Sequence, residues 1–295
     1  MRRKKRFQCW KINKTAQSKK VIKNSKKVNK SKHFRRKIMS VAIITGASSG
    51  IGREFALQLY RAKEADEFYL IARREERLRA LAQELDGKAK IICADLTTSE
   101  GIEKIREALK ENTPEVSYLI NASGFGKFGD YTEISEEETS RMIDLNVKAL
   151  VLITHMTIPY MKRGGHIIQL GSGSCFTPLP NFNVYASSKS FVLHYTKALK
   201  YEIKHLGISA TAFCPGWVDT EFLGVATEIT DAKGPKASAM KPLLRVDRVV
   251  AKAIKDARRG KVMSVTNWYT KMQHMLFKLT PDCALTRMWL GMQKK

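Results

Sequence analysis

Tyr185 and Lys189 stand four residues apart in the segment Tyr-Ala-Ser-Ser-Lys, and Ser172 lies thirteen residues before the tyrosine, at the end of an apolar run. Residues at i and i+4 share one face of a helix, so this phenol and this ammonium would sit together. A free phenol titrates at about pH 10 and is a poor base at neutrality. A neighbouring ammonium favours the phenolate and lowers that value. The pair could pass a proton to or from an oxygen held beside it. A serine hydroxyl beside it could donate a hydrogen bond to that oxygen as negative charge develops.

A second group lies in Thr45-Gly46-Ala47-Ser48-Ser49-Gly50-Ile51-Gly52, directly after the first apolar strand. Glycines allow a tight turn and let backbone N–H groups approach a diphosphate, while the following helix points its positive end at the anion. The spacing is GxxxGxG and not GxGxxG.

The elements that must position these residues alternate. Strands are expected at Ser40–Thr45, Glu67–Ala72, 89–94, 116–120, 166–170 and 208–213, with a last one at 261–266. Helices are expected at 51–62, 75–85, 102–109, 135–161, 185–206 and Val246–Arg258. Strands joined by helical crossovers are parallel neighbours, covered on both faces. This is the doubly wound α/β class, here a single Rossmann-type domain, in which ligands bind beyond the carboxyl ends of the strands.

With the turn TGASSGIG and the Tyr185–Lys189 pair in place, the chain resembles the short-chain dehydrogenase/reductase (SDR) family over almost all of residues 40–266. The resemblance implies hydride transfer between a nicotinamide dinucleotide and a carbonyl or alcohol, such as a hydrophobic ketone or 3-oxoacyl compound. It casts Tyr185 as general acid in reduction and general base in oxidation, and Lys189 as the residue that holds the ribose hydroxyls and tunes Tyr185. Ser172 keeps the family's interval to the tyrosine; Ser174 is a competitor two residues closer. Asn146 matches the residue whose backbone distorts the long helix and holds a water in a proton relay.

The same resemblance assigns the cofactor residues. Gly46, Ser48, Ser49, Gly50, Ile51 and Gly52 would cradle the diphosphate. Asp95 would bind the adenine amino group, with Leu96 covering the ring. Asn121-Ala122-Ser123-Gly124 would line the cofactor and stabilise the sheet, and Pro215, Gly216, Val218 and Thr220 would orient the carboxamide. NAD-preferring members carry an acidic residue at the end of the second strand; here Ala72 is followed by Arg73 and Arg74. An arginine fork suits a 2′-phosphate, so NADP(H) is expected over NAD(H), with Arg53 as a further candidate. Phe176, Leu179, Phe182, Trp217, Phe222 and Leu223 could form an apolar substrate wall, and 221–242 a mobile loop. No metal site is expected.

The net charge of +25 is unevenly spread: residues 1–38 hold seventeen Lys or Arg and no acid, leaving 36 basic and 28 acidic residues in 39–295. The basic stretch reads as a disordered tail. It could tether to an anionic surface, do nothing, or lie upstream of a true start at Met39. The moderate charge of the remainder and the lack of a nucleic-acid motif argue against a nucleic-acid-binding protein. Five scattered cysteines without a CxxC pair suit a reducing cytoplasm, with Cys175 and Cys214 as packing residues. No apolar run of eighteen residues predicts a transmembrane helix.

Residues 267–295 depart from the family pattern, with two amphipathic stretches flanking Pro281. Packing onto the core or the substrate loop is the favoured reading, and peripheral membrane contact the other. A dimer through the long helices 135–161 and 185–206 is expected. The alternative function is a dinucleotide-sensing binding protein without turnover.

Overall fold

The computed structural model describes residues 39–227, 243–266 and 268–293. The basic tail and most of the expected substrate loop, residues 228–242, lie outside the described residues. Seven parallel strands run in the order β3-β2-β1-β4-β5-β6-β7: β1 Ser40–Thr45, β2 Glu67–Ala72, β3 Ala89–Cys93, β4 Glu115–Asn121, β5 Met161–Leu170, β6 Ser209–Cys214 and β7 Met263–Val265. The order reverses between β1 and β4, which opens a crevice at their carboxyl ends.

Side chains alternate across the sheet, as strand geometry requires. Ala42 and Ile44 of β1 and Tyr118 and Ile120 of β4 face one core. There they meet Phe55 and Leu59 of α1 (Gly50–Arg61), Leu78 and Leu81 of α2 (Glu75–Glu84), and Val249, Val250 and Ala253 of a later helix, Val246–Arg258. Val41, Ile43 and Leu119 face the other core, with Ile102, Ile105 and Leu109 of α3 (Ser99–Asn112).

The stretch expected as one helix over 135–161 is interrupted. It runs as α4 (Glu136–Ile143), a π-helical segment at Asp144–Ala149, α5 (Leu150–Thr157) and a short 3-10 turn at Ile158–Tyr160. Pro159 stands in that last turn, where α-helix cannot continue, and β5 begins at Met161, paired with Val116, five residues earlier than expected. The run Glu136–Tyr160 is long and apolar enough to cross a membrane. Met142, Ala149, Ile153 and Met156 are nonetheless buried in the protein's own clusters.

Helix α6 (Asn183–Glu202) follows, then a 3-10 turn closed by Gly207 at φ 72°. Next come α7 (Phe222–Ala226), α8 (Val246–Arg258), α9 (Trp268–Leu279) and α10 (Asp282–Gln293). The last two are the amphipathic stretches, and they belong to the same unit as the sheet, Met39–Lys295. Leu285 and Trp289 are buried, and Trp289 Nε1 donates to the carbonyl of Pro180 at 2.8 Å.

Candidate active site

The turn after β1 is built for close approach. Gly46 takes φ 68°, and a side chain there would stand 2.9 Å from the backbone of Ala122 and Ser123. Thr45 Oγ1 accepts hydrogen bonds from the N–H groups of those same two residues, at 3.1 and 3.2 Å, and so clamps the ends of β1 and β4 together. The first turn of α1 carries no acidic residue, and its N-cap, Ser49, makes no side-chain cap. The positive end of the helix is left facing the crevice.

Arg74 reaches across from the end of β2. Its Nη2 donates to Ser49 Oγ at 2.8 Å and to Ser48 Oγ at 3.2 Å. Its Nη1 donates to Glu221 at 2.9 Å, and Arg77 pairs with the same carboxylate. Arg73 turns toward Asp95, at 3.9 Å. Asp95 feels burial pushing its carboxyl up, but hydrogen bonds from the Thr97 N–H and hydroxyl, with Arg73 and Arg141 nearby, hold it below the usual value. Arg53 is not at this site: its guanidinium pairs with Glu84 at 2.5 Å.

The residues expected to react gather toward the other end of the same cavity. Tyr185 is buried, and the Ser172 hydroxyl bears on its phenol. Lys189 Nζ lies 5.6 Å from the centre of the Tyr185 ring and donates to the Leu170 carbonyl at 2.9 Å. Asn146 sits in the π-helical segment, its Oδ1 accepting from Phe125 N at 3.1 Å and its Nδ2 donating to Phe125 O and Ser188 Oγ. Gly124 lies between the two polar groups: a methyl there would stand 2.8 Å from Asn146 Oδ1 and 3.1 Å from Lys189 Nζ. Ser174, the competitor of Ser172, donates its N–H to the Ser172 hydroxyl, and its own hydroxyl is buried without a partner among the described residues.

The electrostatics differ from the expectation drawn from spacing alone. Burial raises the Tyr185 phenol above its ordinary value, opposed by the Ser172 hydrogen bond. Burial also lowers Lys189 to about 8. Desolvation opposes the charged form of each group and is the largest influence on both.

One cavity of about 920 Å³ joins the two ends. Gly46, Ser48, Ser49, Gly50, Ile51, Gly52, Arg73, Arg74, Asp95, Leu96, Ala122, Ser172, Tyr185, Pro215, Gly216, Val218 and Thr220 all line it. Three expected site residues do not. Asn121 is turned into the protein, donating to Thr154 Oγ1 and Gln169 Oε1, so its side chain serves the sheet. Asn146 and Lys189 stand just behind the wall, bonded to Phe125 and Leu170, which do line it. Gly173 N donates to Pro215 O at 2.7 Å, fixing the Ser172 loop to the Pro-Gly loop.

Leu179, Phe182, Trp217, Phe222 and Leu223 line the cavity as expected. Phe176 does not; it packs against His274 with ring centres 4.0 Å apart. Cys175 and Cys214 are buried free thiols, sulfurs 3.8 Å apart, that pack with Leu193 and Ala212. Sequence reasoning missed Gly126, whose α-carbon rests against the Tyr185 ring: a methyl there would stand 2.6 Å from Cδ2. It also missed Glu221, and the part of the wall that α9 and α10 supply through Leu276, Leu285, Met288, Trp289 and Met292. The amphipathic pattern around Pro281 was the available signal for that wall.

A family model described as short chain dehydrogenase matches residues 40–230. An uncharacterized oxidoreductase of Staphylococcus epidermidis is 34% identical over 193 residues, covering 65% of this chain and 81% of that protein. The human inactive hydroxysteroid dehydrogenase-like protein 1 is 34% identical over 188 residues, 61% of this chain and 56% of that protein. Among solved structures, a short-chain dehydrogenase from Sphingobium yanoikuyae in complex with NADPH superposes with a TM-score of 0.70 at 27% identity, over 81% of this chain and 92% of that one. A 3-ketoacyl-(acyl-carrier-protein) reductase from Brucella melitensis complexed with NADH gives 0.65 at 26% identity, over 77% and 95%.

Proposed function

The chain belongs to the short-chain dehydrogenase family and is an oxidoreductase of that type, and we propose that it moves hydride between NADP(H) and the carbonyl or alcohol of a hydrophobic substrate. The observation that carries this reading is the single cavity that brings Ser172 and Tyr185 to one end and the glycine turn with Arg74 to the other. The bound dinucleotide would supply or accept the hydride. Gly46, Ser48, Ser49, Gly50, Ile51 and Gly52 would hold its diphosphate, Asp95, Leu96 and Ala122 its adenosine side, and Pro215, Gly216, Val218 and Thr220 its carboxamide end.

The proton is handled by this chain's own residues. In reduction, Tyr185 Oη gives its proton to the substrate oxygen, and the burial that keeps the phenol protonated suits that direction. Ser172 donates to the same oxygen as charge develops. Lys189, with its value near 8, is still largely an ammonium at neutral pH and offsets the charge left on Tyr185. Asn146 holds Phe125 and Ser188 in register behind the pair.

The 2′-phosphate reading rests on Arg74, whose fork meets the Ser48 and Ser49 hydroxyls, and on the lack of an acid at the end of β2. The test is kcat/KM with both dinucleotides. NADPH should be favoured by at least tenfold and Arg74→Ala should remove the preference; equal values would contradict it. The aromatic and methionine-rich wall favours a bulky apolar ketone or 3-oxoacyl compound. A panel of such compounds, scored by loss of NADPH absorbance, tests both this and the alternative of binding without turnover.

Two surface readings accompany it. Met275 and Leu279 are exposed along α9, near Lys271, and would rest on an anionic bilayer. Leu279→Glu with Met275→Glu should then abolish co-sedimentation with anionic vesicles. Ile143, Phe191 and Tyr201 are exposed on α4 and α6 and would pair two copies. Phe191→Lys should shift the sedimentation coefficient to that of a monomer.

A further inference from the structure

The carboxylate of Glu221 is a negative group inside the pocket assigned above to a phosphate. It accepts from Arg74 at 2.9 Å and from Arg77, while Arg74 keeps its other edge on Ser48 and Ser49. The next residue, Phe222, opens α7 and packs on the Tyr185 ring, centres 5.3 Å apart. The far end of α7 is anchored separately, Ala226 O accepting from Phe128 N at 3.0 Å. Two neighbouring residues thus span the cavity, one on the arginines and one on the reacting phenol.

We infer that Glu221 is a specificity-determining residue that competes with the cofactor's 2′-phosphate for Arg74 and Arg77, and that its displacement frees Phe222 from the Tyr185 ring. This rests on the NADP(H) reading. The competition is unequal. Glu221, Arg74 and Arg77 are each about half exposed, and such ion pairs are weak. A phosphate brings more charge and three acceptor oxygens to the same guanidinium groups. A ribose without the phosphate has nothing to displace the carboxylate with. Phe222 and Phe182, with ring centres 5.3 and 4.4 Å from that of Tyr185, both cover the phenol. Freed at its first turn and held at Ala226, α7 would swing from the substrate side of the cavity.

The test is calorimetric titration of the full chain with 2′,5′-ADP and with 5′-AMP, which differ in the 2′-phosphate, for wild type, Glu221→Gln and Arg74→Ala. Amide exchange across 221–226 is followed in parallel. Glu221→Gln should bind 2′,5′-ADP about two- to fivefold tighter and 5′-AMP unchanged. Exchange across 221–226 should quicken when 2′,5′-ADP, but not 5′-AMP, binds the wild type, and should already be fast in Glu221→Gln. Unchanged or weaker 2′,5′-ADP binding by Glu221→Gln would overturn the inference, because Glu221 would then be orienting Arg74; unaltered exchange would overturn the coupling to Phe222. If the wild type does not prefer 2′,5′-ADP, or Arg74→Ala keeps the preference, the NADP(H) reading falls and takes this one with it. If Arg74→Ala loses the preference while Glu221→Gln changes nothing, only the Glu221 inference falls.

Discussion

Lys189 stands one helical turn beyond Tyr185 and reaches past its ring, Nζ 5.6 Å from the ring centre, to donate to the Leu170 carbonyl. The ammonium is therefore positioned by the end of β5. Both groups are buried, and burial sets the protonation of each.

The buried ammonium has a signature in stability. Lys189 titrates near 8 in the folded chain against 10.5 as its ordinary value. Between those values the unfolded chain binds the proton and the folded chain does not, so this group makes stability rise with pH across that window and penalises folding below it. The gain is of order 3 kcal/mol, at about 1.4 kcal/mol per pH unit. Denaturant unfolding of wild type and Lys189→Met between pH 7.5 and 10.5, endpoints chosen as roughly bracketing the window, should give a difference that rises with pH. A flat difference would mean that the ammonium is well solvated.

Gly126 holds the Tyr185 ring in place by having no side chain. Gly126→Ala would push a methyl into that ring, and overpacking of this kind costs about 1–3 kcal/mol. The melting temperature should fall and kcat should fall with it, while binding of 2′,5′-ADP at the other end of the cavity stays unchanged. Normal kcat would show that the ring position is not constrained there.

Trp289 of α10 lines the cavity, in one buried cluster with Phe182 and Leu179 and bonded to the Pro180 carbonyl. Removing it should cost roughly 3–5 kcal/mol of stability if the pocket does not collapse. Trp289→Phe keeps most of the packing and loses the hydrogen bond. That variant should raise KM for bulky ketones more than it lowers kcat, and leave nucleotide affinity alone. An equal effect on nucleotide and ketone would mean that Trp289 acts only on the fold.

Local signals were legible and distant ones were not. β1 and β2 end where their apolar runs meet turn residues, and both match the expected bounds. The glycine turn and the Tyr185–Lys189 spacing are local too, and the structure puts the turn and Tyr185 at one cavity, with Lys189 just behind its wall. The π-helical segment Asp144–Ala149 carries no glycine or proline to mark it in the sequence, and only resemblance singled out Asn146. Arg53 looked available next to the turn, yet Glu84, thirty-one residues on, takes it. Glu221 meets Arg74 across 147 residues, and Trp289 meets Pro180 across 109. No periodicity encodes such pairings. They follow from where the crossovers return the chain, so the charge beside Arg74 and the apolar wall of the cavity emerged only with the fold.

The most direct measurement is NADPH consumption by wild type and Tyr185→Phe with a bulky apolar ketone, alongside the nucleotide affinity of each. Wild type should turn over, while Tyr185→Phe should bind NADPH as tightly and lose about 10²- to 10⁴-fold or more in kcat. A Tyr185→Phe protein that retains its rate with nucleotide affinity intact would contradict the assignment of proton transfer to this phenol.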